Sequence, residues 1–258
     1  MLSEIQNRLA GHPWSPQIQY FDTIDSTNTY AKALAMQGAP EGTVILADHQ
    51  TGGRGRLGRS FSSPAGMGIY MSVILRPNCL PEELMHLTCA TGVAATCAIG
   101  RDCKIKWTND LVLGKRKLGG ILTEISMDPA SRNVDWAVVG IGINCCQQPE
   151  QFPEEIRGIA CSLGLERQAV PALAADLIQA LYQMRCDLLT KRSDTMALFR
   201  QRCITIGQEI SLLRGDQVRH GTALHVEDDG SLLVRFSDGH TEAVASGEVS
   251  VRGMYGYL

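Results

Sequence analysis

The stretch GGRGRLGRS, residues 52–60, decides how this chain is read. Gly53, Gly55 and Gly58 spell GxGxxG, the pattern of a dinucleotide-binding turn, and Arg54, Arg56 and Arg59 add three guanidinium groups within six residues. A Rossmann turn needs a strand before the motif, a helix opening inside it, and an acidic residue about 20 positions further on. The apolar run GTVILADHQ (42–50) supplies the strand. The other two conditions fail. RSFSSPAGMG, with Pro64, Gly66 and Gly68, interrupts a helix, and VILRPNCL carries no carboxylate. The chain also contains no GxxxxGK[ST] phosphate loop.

Two bland readings stand beside an anion clamp: a solvated charged loop, and a basic loop that binds RNA. The stretch lies between two apolar strand-like runs, 42–50 and 69–77, so it is tethered at both ends to a core. Its glycines let backbone N–H groups turn toward a ligand, and its arginines supply forked donors. That combination suits a ligand carrying both carboxylate and phosphate. A bendable glycine segment can also close over such a ligand and exclude water.

The rest of the chain limits the alternatives. It has 258 residues, 44% hydrophobic and 20% charged, with a net charge of −3. This composition supports a packed core, and the acidic balance argues against a protein whose main task is gripping a nucleic-acid backbone. The nine cysteines form no CxxC, and neither they nor the six histidines show zinc-ligand spacing, so no metal ligand set is named. Reduced, mostly buried thiols in a cytoplasmic protein are expected. The first residues show no basic segment followed by an apolar run, and no run reaches 18 apolar residues, so neither a signal peptide nor a membrane span is expected.

Outward from the loop, LSEIQNRLAG (2–11), NTYAKALAMQ (28–37), PEELMHLTCATGVAATCAIG (81–100), 170–190 and SDTMALFRQR (193–202) read as helices. QIQYFDTI (17–24), KIKWTND (104–110), 110–127 and VDWAVVGIGINC (134–145) read as strands. Beyond Gly207 the texture changes to short alternating runs, QEISLL, RHGTALHVED, SLLVRFSD and HTEAVASGEVSVR, with DDG and DG turns. Several neighbouring strands lack a helix between them. The expectation is therefore an α+β chain: a mixed sheet with helices on one side over residues 1–206, and a small all-β domain over 207–258.

Four other clusters are more polar than packing requires. DSTN (25–28) opens a helix, where Asp25 and Ser26 cap and free N–H groups await a polar ligand. KWTND puts Lys106, Asn109 and Asp110 at a strand end; KRKLGG carries Lys117; and GIGIN has Gly140, Gly142 and Asn144 at the end of an apolar run. Lys115 and Arg116 are taken as solvated turn residues.

In order, IDSTN, Q-x3-RGRxGR, KW-x-ND, KLGGIL-x-E and GIGIN resemble the biotin protein ligases, from about Phe21 to Asn144 and more loosely into the C-terminal region. The resemblance implies the biotin ligase fold, related to class II aminoacyl-tRNA synthetases, with an SH3-like β-barrel at the end. It implies ATP-dependent formation of biotinyl-5′-AMP, transfer of biotin to a lysine of a biotin carboxyl carrier protein such as an acetyl-CoA carboxylase subunit, and Mg²⁺ with the ATP. By that resemblance Ser26, Thr27 and Asn28 line the ureido pocket, Gln50 hydrogen-bonds the ligand, and Gly53, Arg54 and Arg56 form the covering loop. Asp110 sits near the acceptor lysine, and Lys117 contacts the biotin carboxylate and α-phosphate. Asn144 faces the adenylate, and Lys106, Asn109, Gly119 and Gly142 belong to the same site. Phe61 stands where the family often has tryptophan, and Thr108 where it usually has proline. About 20 residues precede DSTN, against about 60 for the helix-turn-helix domain of some members, so no DNA-reading domain is expected. A monomer or a homodimer is allowed. A lipoate-type acyl-protein ligase of the same fold is the alternative.

Overall fold

The computed structural model describes residues 1–100, 102–214, 217–245 and 250–253. The chain begins with α1 (Leu2–Arg8), then β1 (Ile18–Ile24), α2 (Thr27–Met36), β2 (Val44–Gln50) and β3 (Gly68–Leu75). There follow α3 (Leu87–Ile99), β4 (Lys104–Lys106), β5 (Asp110–Leu113), β6 (Arg116–Met127) and β7 (Val134–Asn144). The short α4 (Glu154–Arg157) precedes the long α5 (Val170–Asp187) and α6 (Arg192–Arg202). Strands β1–β7 form one sheet in the order β1-β2-β3-β7-β6-β5-β4. Only β1 and β2 pair in parallel, with α2 as their crossover; the rest of the sheet is antiparallel.

Side chains alternate across this sheet, as the pleat requires. Val44, Leu46, Val73, Val139 and Ile141 point into the main core with residues of α1, α3 and α5, while Ile45, Ile74 and Val138 point the other way, against Ala31 and Ala35 of α2. Helices on one side is therefore correct for α1, α3 and α5 and needs correction for α2. α2, the crossover between the parallel strands β1 and β2, packs on the face opposite to α1, α3 and α5.

Two sequence readings shift in detail. The helix expected from Pro81 starts at Leu87, because Pro81–Glu83 form a separate single turn and the chain bends before His86. The run 110–127 is two strands. Gly114, with φ +61, makes the tight turn that pairs Leu113 with Arg116.

The last part of the chain is a second antiparallel sheet of β8 (Glu209–Arg214), β9 (Gln217–Val226), β10 (Leu232–Phe236), β11 (Thr241–Val244) and β12 (Ser250–Gly253). Its order is β11-β10-β9-β8-β12. The run read as HTEAVASGEVSVR falls partly outside the described residues, and no pairing that closes the sheet into a barrel occurs among the described ones. The sheet is not loosely tethered. Ile210, Ala223, Val226, Leu232 and Val234 share one apolar cluster with Ile105, Trp107 and Phe199. Each of the buried Ile, Val, Leu and Phe side chains contributes about 1.5–3 kcal/mol. Trp107 also donates its indole N–H to the Gly230 carbonyl at 2.9 Å.

Candidate active site

The site begins with an absence of side chains on the α2 face of the sheet. The register aligns Ala47, Tyr70, Gly142, Gly120 and Asp110 in one row across five strands, and Ile45, Ser72, Gly140 and Leu122 in the next. Gly120, Gly140 and Gly142 leave the middle of these rows bare. A methyl group on Gly140 would strike the Asn28 amide, and one on Gly142 would strike the Phe61 ring. The glycines therefore admit neighbouring side chains onto the sheet. Above this floor lies a cavity of about 380 Å³.

The start of α2 forms one wall. Ser26 caps the helix, its Oγ accepting the Thr29 N–H at 3.4 Å. The Thr27 N–H donates to Gln50 Oε1 at 2.8 Å, and the Gln50 amide N–H in turn donates to Ser63 Oγ at 2.8 Å. Asn28 donates to Glu124 at 3.0 Å, and Glu124 is held by Lys32 at 2.6 Å. Ser26, Thr27 and Asn28 are all buried, each with at least one atom on the cavity.

The arginine loop forms the lid. It doubles back as a small hairpin: Arg54 pairs with Ser60, the Phe61 N–H donates to the Gly53 carbonyl at 2.9 Å, and the Gly55 N–H donates to the Arg59 carbonyl at 2.7 Å. Leu57 (φ +55) and Gly58 (φ +73) make the reversal. Arg54, Arg56 and Arg59 all line the cavity. Arg56 is tied down, donating to Asn109 Oδ1 at 2.9 Å. Burial pulls the Arg56 guanidinium below its ordinary value, opposed by the Asp110 carboxylate and assisted by Arg59; an arginine still keeps its charge at neutral pH.

Opposite the lid, Lys117 Nζ lies 2.7 Å from Asp110 Oδ1. Lys106, at the end of β4, is buried and faces the same space. The cavity is thus lined by five cations, Arg54, Arg56, Arg59, Lys106 and Lys117, against one carboxylate, Asp110. Such a surplus in a partly desolvated space attracts anions strongly.

Of the residues singled out in the sequence, Ser26, Thr27, Asn28, Gln50, Arg54, Arg56, Phe61, Lys106, Asn109, Asp110, Lys117 and Gly142 line this one cavity. Three do not. Gly53 is buried beneath the loop, where a methyl group would meet the Phe61 carbonyl and, at 2.7 Å, Ser63 Oγ. Gly119 is turned to the opposite face by the pleat, against the Gly142 carbonyl; its neighbour Gly120 is the one that faces the cavity. Asn144 is buried and donates to the Cys161 carbonyl at 3.0 Å, bracing the 159–161 segment against Lys117. Strand alternation accounts for Gly119 alone; Gly53 belongs to the covering loop without reaching the cavity, and Asn144, on the same face of β7 as Gly142, is taken up by the Cys161 carbonyl. Sequence reading missed Ser63, Ser72, Lys32 and Ile159, and quoted Glu124 as the end of KLGGIL-x-E without giving it a role. Ser72, a polar residue inside IYMSVILRP, was the one detectable signal; Ile159 lies on a segment that no local pattern connects to Lys117. Thr108, at the family's proline position, is buried with its Oγ1 3.4 Å from Cys89 Sγ, and the Trp107–Thr108 peptide is cis.

The family model described as Biotin/lipoate A/B protein ligase family matches residues 20–144, which hold nearly all of this cavity. The model described as Biotin protein ligase C terminal domain matches residues 205–252. The bifunctional ligase/repressor BirA of Bacillus subtilis is 34% identical over 245 residues, 92% of this chain and 75% of that protein.

The chain belongs to the biotin protein ligase family.

Within the family, the biotin–[acetyl-CoA-carboxylase] ligase of Mycobacterium tuberculosis is 30% identical over 250 residues, 93% of this chain and 90% of that one. Among solved structures, the biotin protein ligase of Aquifex aeolicus in complex with biotin and ATP aligns with a TM-score of 0.74 at 27% identity, covering 92% of this chain and 99% of that one. The α+β architecture is that of the biotin ligase fold.

Proposed function

We propose that this chain is an ATP-dependent biotin–protein ligase. It makes biotinyl-5′-AMP from biotin and ATP, then transfers biotin to one lysine of a biotin carboxyl carrier protein of the acetyl-CoA carboxylase type. The observation that carries the reading is a single cavity that joins an uncharged polar wall, at Ser26, Thr27 and Gln50, to a cluster of five cations. A molecule with a neutral hydrogen-bonding head and a carboxylate tail, next to a nucleotide, matches that division. The M. tuberculosis relative is by name a biotin–[acetyl-CoA-carboxylase] ligase, which supports the acceptor class.

The first step is hard because both reactants are anions. A biotin carboxylate oxygen attacks the α-phosphorus of ATP, a P–O bond forms, and the bond to pyrophosphate breaks. At bonding range the repulsion is on the order of several kcal/mol in a poorly solvated space. Arg54, Arg56 and Lys117 offset it and neutralise charge growing on the phosphorus oxygens and on pyrophosphate. Lys106 adds to the same field, and Asn109 holds Arg56 in the lid. Phe61 gives an apolar cover beside Gly142 for the base end of the nucleotide.

In the second step the carrier lysine attacks the biotinyl carbonyl, AMP leaves, and the amine loses a proton. Asp110 orients that amine and accepts the proton. A closed lid meanwhile protects the mixed anhydride from water. Gly53, Gly119 and Asn144 act indirectly, through the loop and strand geometry they permit. No group of three or more metal-ligating side chains exists among the described residues, and Asp110 is the cavity's one carboxylate. Mg²⁺ accompanying ATP would be held mainly by phosphate oxygens, with Asp110 as the one cavity carboxylate able to join them, and would supply neutralisation of phosphate charge.

We further assign residues 1–206 to catalysis and 207–258 to a bracing domain that fixes Trp107, in a monomer or homodimer. No helix among the described residues is long and apolar enough to cross a membrane, and the nine free cysteines suit the reducing cytoplasm.

Biotin-dependent exchange of labelled pyrophosphate into ATP tests the reading. Exchange with biotin and none with lipoate is expected. Exchange with lipoate alone would move the chain to the lipoate-type reading, and exchange with neither would overturn the function.

A further inference from the structure

The wall beside the glycine floor contains a hydrogen-bond chain that is short of protons. Thr27 Oγ1 lies 2.8 Å from Ser72 Oγ and 3.1 Å from Gln50 Oε1, and Ser72 Oγ also lies 2.6 Å from Asn28 Oδ1. The direction of each bond follows from its far end. Glu124, held by Lys32, has only acceptors to offer, and so does the Leu122 carbonyl beside it. Asn28 must turn its NH₂ toward those two, which aims its Oδ1 at Ser72. Ser72, buried at 0% exposure, has a single proton and must give it to Asn28. It therefore presents a lone pair to Thr27. Gln50 Oε1 presents another, because its NH₂ is committed to Ser63.

The Thr27 hydroxyl thus has two protein acceptors competing for one proton. Turning that proton toward the cavity would leave two buried oxygen pairs in contact with no hydrogen between either. Unmade buried hydrogen bonds are costly, so the proton stays in the protein. What Thr27 shows the cavity is a lone pair.

We propose that Ser72 and Glu124 are specificity-determining positioning residues: acting through Asn28, they lock the Thr27 hydroxyl as an acceptor toward the cavity, so that the wall takes a ligand N–H and rejects a ligand oxygen. This deepens the proposed function and rests on it, since the N–H would be that of the cyclic urea of biotin. Neither residue touches the ligand in this account. A site built to accept a donor discriminates strongly against an analogue that lacks it, because the mismatch leaves two acceptors face to face.

The test uses calorimetric Kd values for biotin and for the two cyclic carbamates in which one or the other ureido N–H is replaced by a ring oxygen. Wild type is expected to bind biotin at least 100-fold tighter than one of them. Ser72→Ala removes one of the two acceptors that hold the Thr27 proton. Glu124→Gln lets the Asn28 amide reverse, which turns the Ser72 proton to Thr27. Both changes should narrow the biotin-to-carbamate ratio at least fivefold, with KM for ATP within twofold of wild type. A merely structural role would weaken all three ligands together and leave the ratio alone. A ratio within twofold of wild type in both variants, or wild type that does not discriminate, overturns the proposal. Should Glu124→Gln fail to fold, Ser72→Ala decides alone. Wild type that binds no biotin at all is a different result: it removes the functional reading first and this inference with it.

Discussion

Lys117 Nζ sits 2.7 Å from Asp110 Oδ1, both reaching over Gly120, whose missing side chain leaves them room. The pair is half-exposed, so the bond itself adds little stability, on the order of 1 kcal/mol or less. Its interest is chemical. The cation needed for adenylate formation and the carboxylate needed for acyl transfer hold each other in position, and an anion drawn to Lys117 competes with Asp110 for it. Lys117→Ala should lower biotin-dependent pyrophosphate exchange roughly tenfold or more, with the melting temperature nearly unchanged. Asp110→Asn should reduce transfer to the carrier lysine more than it reduces exchange. Normal exchange in Lys117→Ala would remove that residue from the mechanism.

Arg56 is anchored to Asn109 at 2.9 Å, so it connects the lid to the strand end that carries Asp110. Arg56→Gly should open that connection and speed release of biotinyl-5′-AMP about tenfold or more, since a charge-assisted bond and a phosphate contact are lost together. Stopped-flow release of the adenylate, or labelling of bystander lysines by leaked product, measures it. An unchanged release rate would show that the lid closes without this arginine.

Gly140→Ala puts a methyl group on the Asn28 amide. The strand itself tolerates alanine, so the melting temperature should fall modestly. KM for biotin should rise about tenfold because Asn28 must move and take Thr27 with it. A larger effect on KM for ATP than on KM for biotin would contradict the assignment of this wall.

His86 sits fully buried under α3, its Nε2 3.0 Å from the Leu188 carbonyl and its Nδ1 without a partner. Burial lowers its pKa, helped by Arg192 and opposed by the Leu188 hydrogen bond and Asp228. The folded pKa lies below the unfolded value of about 6.5, so the unfolded chain takes up the proton first. Stability is full above about pH 6.5 and falls as pH drops from there to the lowered folded value. Urea midpoints at pH 7.5 and pH 5 should therefore differ, and His86→Gln should flatten the difference. An equal slope in that variant would assign the acid sensitivity elsewhere.

Burial pushes the thiols of Cys89 and Cys145 up to about 12 and that of Cys103 up to about 11. None is a thiolate at neutral pH, which rules them out as nucleophiles. Only Cys97 and Cys186 are exposed. A thiol reagent should titrate two groups fast, the half-buried Cys146 more slowly, and the six buried thiols at the rate of unfolding; fast reaction at Cys145 would contradict its burial.

Local chemistry in the sequence already determined a good deal. Proline and glycine after the arginine cluster excluded a helix there and with it the Rossmann turn. The alternating runs after Gly207 announced a separate β texture, and the polar clusters at 25–28, 50–61, 106–110 and 117 named most of the cavity lining. Those are short-range signals, set by turn chemistry, period and side-chain type. Tertiary structure alone decided which face each strand residue shows. Gly119 and Gly120 are equivalent as text, yet the pleat gives one to the core and the other to the cavity. Tertiary packing also committed Asn144 to the Cys161 carbonyl, sent α2 to the opposite side of the sheet from α3 and α5, and joined Ser72 and Glu124 to Thr27 across separations of 45 and 97 residues. Register across strands distant in sequence is fixed by how whole faces bury their apolar area, and no window of neighbouring residues contains that sum.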